Sequence, residues 1–95
     1  MIFQIKFSES AKRDSKKNLQ LLKEIKKRHL PKIARSPKLV GRKLSGILKD
    51  FWSYHFHFSG TQYRIIYEIF EKEIVIVVIA IGKREKIYGR IQRKI

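Results

Sequence analysis

Cysteine is missing from all 95 residues. That removes disulfides, thiolate zinc sites and thiol nucleophiles together. Acidic side chains are scarce, eight Asp and Glu against twenty-three Lys and Arg. They are also scattered, so no carboxylate pair suits two-metal nuclease chemistry. The chain has no glycine-rich phosphate loop, no Ser/His/Asp set, no internal repeat and no low-complexity tract. Its longest uninterrupted apolar run, Ile74 to Ile81, is eight residues, whereas a membrane-spanning helix needs about 20. The opening Met1-Ile2-Phe3-Gln4-Ile5-Lys6-Phe7 lacks the basic-then-apolar layout of a signal peptide. The expectation is a cytoplasmic protein without a membrane partner. A hydrophobic share of 43% fits a folded chain rather than a disordered tail, and the length predicts one domain over residues 1–95.

What the chain has in excess is positive charge. The formal net charge is +15, concentrated in residues 1–49, where fifteen basic and three acidic side chains leave +12. Such a surface attracts polyanions. The alternative, charge serving solubility alone, must accept the self-repulsion of a small fold.

The hydrophobic pattern predicts an α+β fold. Phe3, Ile5 and Phe7 alternate, as in an opening strand. Ser8 or Ser10 can then cap a helix, with Glu9 in its first turn. Leu19, Leu22, Ile25, His29 and Ile33 recur at helical spacing. Asn18 suits a break that makes a two-helix hairpin, Pro31 is awkward inside a helix, and Ser36-Pro37 is a stop. Three strand-like runs follow, Phe51–Phe58, Tyr63–Phe70 and Ile74–Ile81, predicting an antiparallel meander. The basic tail, Lys83 to Ile95, suits a short C-terminal helix. A type II′ turn centred on Gly60-Thr61 would set Phe58 opposite Tyr63, Phe56 opposite Ile65 and Tyr54 opposite Tyr67 on the core side. On the other face it would set His57 opposite Arg64 and His55 opposite Ile66.

Four groups of residues could carry chemistry. His55 and His57 are two apart on a strand and share a face. They read as half-exposed surface histidines, as phosphate contacts or as proton-transfer groups, since imidazole titrates near neutrality. A metal reading needs a third ligand, for which Glu68 and His29 are the only candidates; no metal is expected. Arg64, on the histidine face, either pairs with Glu68 or offers its guanidinium fork to a phosphate. Lys83, Arg84 and Tyr88 follow the third run of the meander. They read as a solvated basic terminus, or as a site with Arg84 on a phosphate and Tyr88 stacking a base or offering its hydroxyl. The helical cations Lys16, Lys17, Lys23, Lys26, Lys27 and Arg28, with Lys43 and Lys83, read as a solvated surface or as contacts to a nucleic-acid backbone. Trp52 and the other aromatics of the Phe51–Phe58 run are assigned mainly to the core.

Ser36-Pro37, Lys43-Leu44-x-Gly46, Tyr63-Arg64-Ile65-Ile66-Tyr67-Glu68 and Ile81-Gly82-Lys83-Arg84-Glu85 with Tyr88 resemble, in order and spacing, the RelE/ParE toxin superfamily. The resemblance covers nearly the whole chain. It implies a strand, two helices and a curved antiparallel sheet with a short C-terminal helix. It implies the toxin of a type II toxin–antitoxin pair that enters the ribosomal A site and cuts mRNA there. No cofactor is implied: the 2′-hydroxyl attacks the adjacent phosphate without a metal. Arg64 and Arg84 match the family's phosphate-binding arginines and Tyr88 its C-terminal tyrosine. His55 and His57 stand where RelE has two catalytic lysines, a departure that leaves the acid and base open. The implied partners are a cognate acidic antitoxin, the ribosome with its RNA, and mRNA. Two other readings are a ParE-like inhibitor of DNA gyrase and a non-catalytic nucleic-acid-binding module; an inactivated relic is a third.

Overall fold

Alternating and helical segments succeed one another along the chain. The computed structural model describes residues 1–94, so Ile95, the last residue of the expected tail, lies outside the described residues. The elements are β1 (Gln4–Phe7), α1 (Glu9–Lys16), α2 (Leu19–Glu24), a π-helical turn (Ile25–His29), α3 (Leu30–Arg35), α4 (Pro37–Val40), β2 (Arg42–Lys43), a 3-10 turn (Gly46–Leu48), β3 (Trp52–Phe58), β4 (Thr61–Phe70), β5 (Val75–Lys83) and α5 (Arg84–Lys94). The five strands form one sheet in the order β1-β5-β4-β3-β2. The expected α+β architecture is present, with two additions inside residues 38–50, the short strand β2 and the 3-10 turn. The opening strand pairs in parallel with β5; the other pairs are antiparallel.

Local chemistry explains the helical layer. Ser8 caps α1, its Oγ accepting from Ala11 N–H at 3.1 Å. Asn18 starts α2 in the same way, accepting from Leu21 N–H at 3.0 Å, and so makes the expected break. Pro31 neither splits nor ends the helix. It has no N–H for the carbonyl four residues back, and the turn before it widens to π spacing, with Leu30 N–H bonded to Ile25 O. Leu21, Ile25, His29 and Ile33 face the sheet. Leu19, expected in that stripe, is exposed: it is the first residue after the cap, and Leu21 takes the inward position. Pro37 ends α3 and opens α4 rather than a loop, because proline is tolerated in a first helical turn.

The hairpin register differs from the expectation. Ser59 and Gly60 both take left-handed backbone, φ 53 and 78, as a two-residue type I′ turn requires, a geometry that matches strand twist. Phe58 therefore pairs with Thr61, Phe56 with Tyr63, Tyr54 with Ile65 and His55 with Arg64. The shift is one whole side-chain period, so every residue keeps its expected face.

Two cores result. On one face Tyr54, Phe56, Ile65, Tyr67, Ile76, Val78 and Ile81 pack against Ala11, Leu21, Ile25 and Ile33, with Trp52 partly buried beside them. On the other, Ile66 and Ala80 pack against Leu48, Ile87 and Ile91. An irregularity in the β4–β5 ladder lets β5 serve both: Ile66 pairs with Ala80 but Tyr67 with Val78, as in a bulge. Tyr67 is fully buried and its hydroxyl donates to Pro37 O at 2.5 Å. No helix among the described residues is long and apolar enough to cross a membrane.

Candidate functional site

The second face is only partly covered by α5, and the rest carries polar side chains from three strands. Strand alternation puts Ser53, His55 and His57 of β3 on this face, with Gln62 and Arg64 of β4. Register then sets His55 opposite Arg64, and His57 opposite Gln62. The expected pairing of His57 with Arg64 is thus corrected; the type I′ turn moves each partner by one side-chain step.

The first turn of α5 brings the remaining groups. Arg84 Nη1 donates to Gln62 Oε1 at 3.1 Å, which places the guanidinium beside the His57 row. Tyr88, one turn further, lies under Arg64, whose guanidinium carbon is 5.3 Å from the ring centroid. Arg64 Nη1 donates to the Tyr88 hydroxyl, and that hydroxyl donates to Ser53 Oγ at 3.1 Å. Arg64 therefore turns to Tyr88 rather than to Glu68. Tyr88 is half-buried, and its hydroxyl is engaged on both sides in this network.

Electrostatics follows from that crowding. His55 has its pKa lowered below 6.5, first by burial, then by the positive fields of Arg64, Arg42 and Arg84. The neutral imidazole, with a free lone pair, is the form favoured at pH 7. Arg42 pairs with Ser53 across β2–β3. Neither Arg42 nor Ser53 stood out in the sequence. Ser53 was findable, since Ser53-x-His55-x-His57 share a face; Arg42 sits in a connection with no period to follow.

His29 and Glu68, the candidate third ligands, do not join the histidines. His29 lies on the opposite face, buried against Phe56 at 4.3 Å between ring centroids, and shares a 2.7 Å hydrogen bond with the Tyr54 hydroxyl. Burial lowers its pKa, with Glu24 opposing. Glu68 lines a groove with Asp50, Lys43 and Lys49. Its pKa is raised by burial and by Asp50. Among the described residues no three His, Cys, Asp or Glu side chains converge on one point.

The basic residues divide into separate groups. Lys16, Lys23, Lys26, Lys27 and Arg28 are exposed on the helical layer, behind the sheet from His55. Lys43 sits at the β2 edge beside Trp52. Lys17 and Lys83 meet in a cleft of about 360 Å³ at the end of β5. One acid stands in that cleft, Asp14. It is nearly buried, accepts from Ile81 N–H at 3.0 Å and from Arg90 Nη2 at 2.5 Å, and so ties α1 to β5 and α5.

This arrangement has known relatives. The model of a family described as ParE-like toxin of type II bacterial toxin-antitoxin system matches residues 5–92. The mRNA interferase toxin RelE of Escherichia coli strain K12 is 30% identical over 86 residues, covering 90% of this chain and 87% of that protein. A mutant of E. coli toxin RelE in the free state is similar with a TM-score of 0.75 and 26% identity, covering 100% of this chain and 99% of that one. A chain of the RelBE2 toxin–antitoxin complex from Mycobacterium tuberculosis is similar with a TM-score of 0.75 and 25% identity, covering 88% of this chain and 100% of that one.

Proposed function

The chain belongs to the ParE-like toxins of type II bacterial toxin–antitoxin systems, and from that premise we propose that it is a ribosome-dependent mRNA endonuclease. It cuts in the A site by attack of the message's own 2′-hydroxyl on the adjacent phosphate, without a metal. The observation that carries this reading is the pairing of His55 with Arg64, with Arg84 one row away.

Each step has a group suited to it. His55, held neutral, takes the 2′-hydroxyl proton as the O2′–P bond forms. Arg64 and Arg84 bracket the phosphate and stabilise the added charge of the five-coordinate transition state. Tyr88 and Ser53 fix Arg64, so its donors need little reorganisation. In-line displacement puts the leaving oxygen on the far side of phosphorus. His57, about 6.6 Å along β3 at strand rise, acts in its protonated form and gives that proton to O5′ as the P–O5′ bond breaks; exchange with solvent afterwards moves the proton gained by His55 back to His57. The products are a 2′,3′-cyclic phosphate and a 5′-hydroxyl. The names of similar proteins, an mRNA interferase and a toxin–antitoxin complex, support both the substrate and an antitoxin partner. A net charge of +15 suits an acidic antitoxin segment and the phosphates of ribosomal RNA.

Primer extension on an mRNA in a purified translation system tests the reading. Breaks inside A-site codons that are absent on free mRNA are expected. Arg84→Ala should lower them at least about 100-fold, the scale of roughly 3 kcal/mol for one lost oxyanion donor. Intact message in that assay, together with inhibited DNA supercoiling, would instead identify a gyrase inhibitor; an Arg84→Ala protein cutting at full rate would remove Arg84 from the site.

A further inference from the structure

The cleft at the end of β5 is not used by the chemistry above, yet its make-up is that of an anion site. Lys17, Lys83, Lys86 and Arg90 line it, with Asn18 and Tyr63. Its volume of about 360 Å³ falls at the lower end of the range of small-molecule sites. Asp14 does not spoil the field, because its carboxylate is engaged by Arg90 and by Ile81 N–H. Tyr63 is half-buried and fixed by stacking on Phe56, at 5.8 Å and 20° between planes. It can present a ring to a nucleobase at small entropic cost.

The cleft is also next to the cutting face. Lys83 is the last residue of β5 and pairs with Tyr63 on the cleft side; Arg84, its immediate neighbour, reaches Gln62 on the histidine face. Consecutive Cα atoms are about 3.8 Å apart, so one anionic strand passing over the end of β5 meets Arg84 and then Lys83. We propose that this cleft is a second subsite for single-stranded RNA, holding the nucleotide that flanks the scissile phosphate. Lys17, Lys83 and Lys86 bind its phosphates and Tyr63 its base. The assignment of the strand to the cutting face rests on the proposed nuclease reading. An acidic peptide has the charge but no base for Tyr63, and it has no reason to follow Arg84 around the strand end.

The test uses an uncleavable 2′-O-methyl RNA tetranucleotide titrated into the intact chain, read by backbone amide shifts. Shifts are expected at Asn18, Leu21 and Gly82 as well as at His55 and Gln62. Lys17→Ala with Lys86→Ala should lower the slope of log affinity against log salt by about 1.4, at about 0.7 for each single-strand phosphate contact. Lys32→Ala with Lys72→Ala removes the same charge from exposed positions elsewhere and should leave the cleft shifts in place. Shifts confined to the His55 face, or equal losses in the two double variants, would overturn the cleft and leave the nuclease reading standing. Shifts in the cleft without any at His55 and Gln62 would uphold the cleft and remove the cutting face.

Discussion

Breaking the Asp14–Arg90 ion pair from each side should give unequal losses of stability, in an order that separates local from global electrostatics. The Asp14 side chain is 5% exposed and that of Arg90 29%. In Asp14→Asn the volume is kept, but a charge-assisted hydrogen bond of about 1.5–3 kcal/mol is lost. Arg90, nearly a third exposed, recovers part of that from water, so the net cost is about 2 kcal/mol. In Arg90→Ala the carboxylate stays buried with Ile81 N–H as its remaining donor among those described above. Stranding a buried charge costs about 3–5 kcal/mol, and the one remaining bond brings the expectation to about 3 kcal/mol. Urea unfolding should therefore rank wild type above Asp14→Asn above Arg90→Ala. The melting temperature should fall about 4–8 °C per kcal/mol for a domain of this size. General repulsion in a chain of +15 demands the reverse order, because Asp14→Asn raises the net charge and Arg90→Ala lowers it. Arg90→Ala proving as stable as Asp14→Asn would refute the stranded-carboxylate argument. Because α5 also carries Tyr88 and Arg84, both variants should lose cleavage along with stability.

Three further outcomes follow from the same geometry. A Cβ at Gly41 would overlap the Tyr67 hydroxyl and lie 3.1 Å from Pro37 O, so Gly41→Ala should cost about 2–4 kcal/mol from overpacking and the lost hydrogen bond. Adding Tyr67→Phe, which removes the obstructing oxygen, should restore part of that in urea titrations, and no restoration would show that the clash lies elsewhere. His29 and His55 are both held below 6.5, so the unfolded chain binds more protons at these two sites; their contribution to stability should be level above pH 6.5 and fall as pH drops through and below it. His29→Gln should flatten that fall, and single-turnover cleavage should show an acid limb below 6.5 that moves up in Arg64→Gln. Tyr88→Phe removes the hydroxyl between Arg64 and Ser53 and should slow cleavage about tenfold, near 1.4 kcal/mol; an unchanged rate would mean that Arg64 needs no such support.

Residue periodicity alone determined a good deal about this protein. Alternation separated Tyr54 and Phe56 from His55 and His57, and that separation survived a wrong turn type because the error was a whole side-chain period. Composition determined the excess of cations, and four short motifs carried the likeness to the toxin family. Asn18 and Pro31 marked two helix irregularities, although the π-helical response to Pro31 depended on how the helix packs. Tertiary structure decided which partners meet. The partner of Arg64 is His55 because Ser59 and Gly60 both take left-handed backbone. Ser53, Arg42 and Tyr88 converge because β2 and α5 pack where they do, and Asp14 finds Arg90 76 residues away. The lysines expected to act together lie on different surfaces, since the sheet stands between the helical layer and the histidines. The physical reason is range. A side chain's face follows from the two- or 3.6-residue repeat of its own segment. Its partner follows from turn geometry, strand order and the packing of distant elements, none of which has a local repeat.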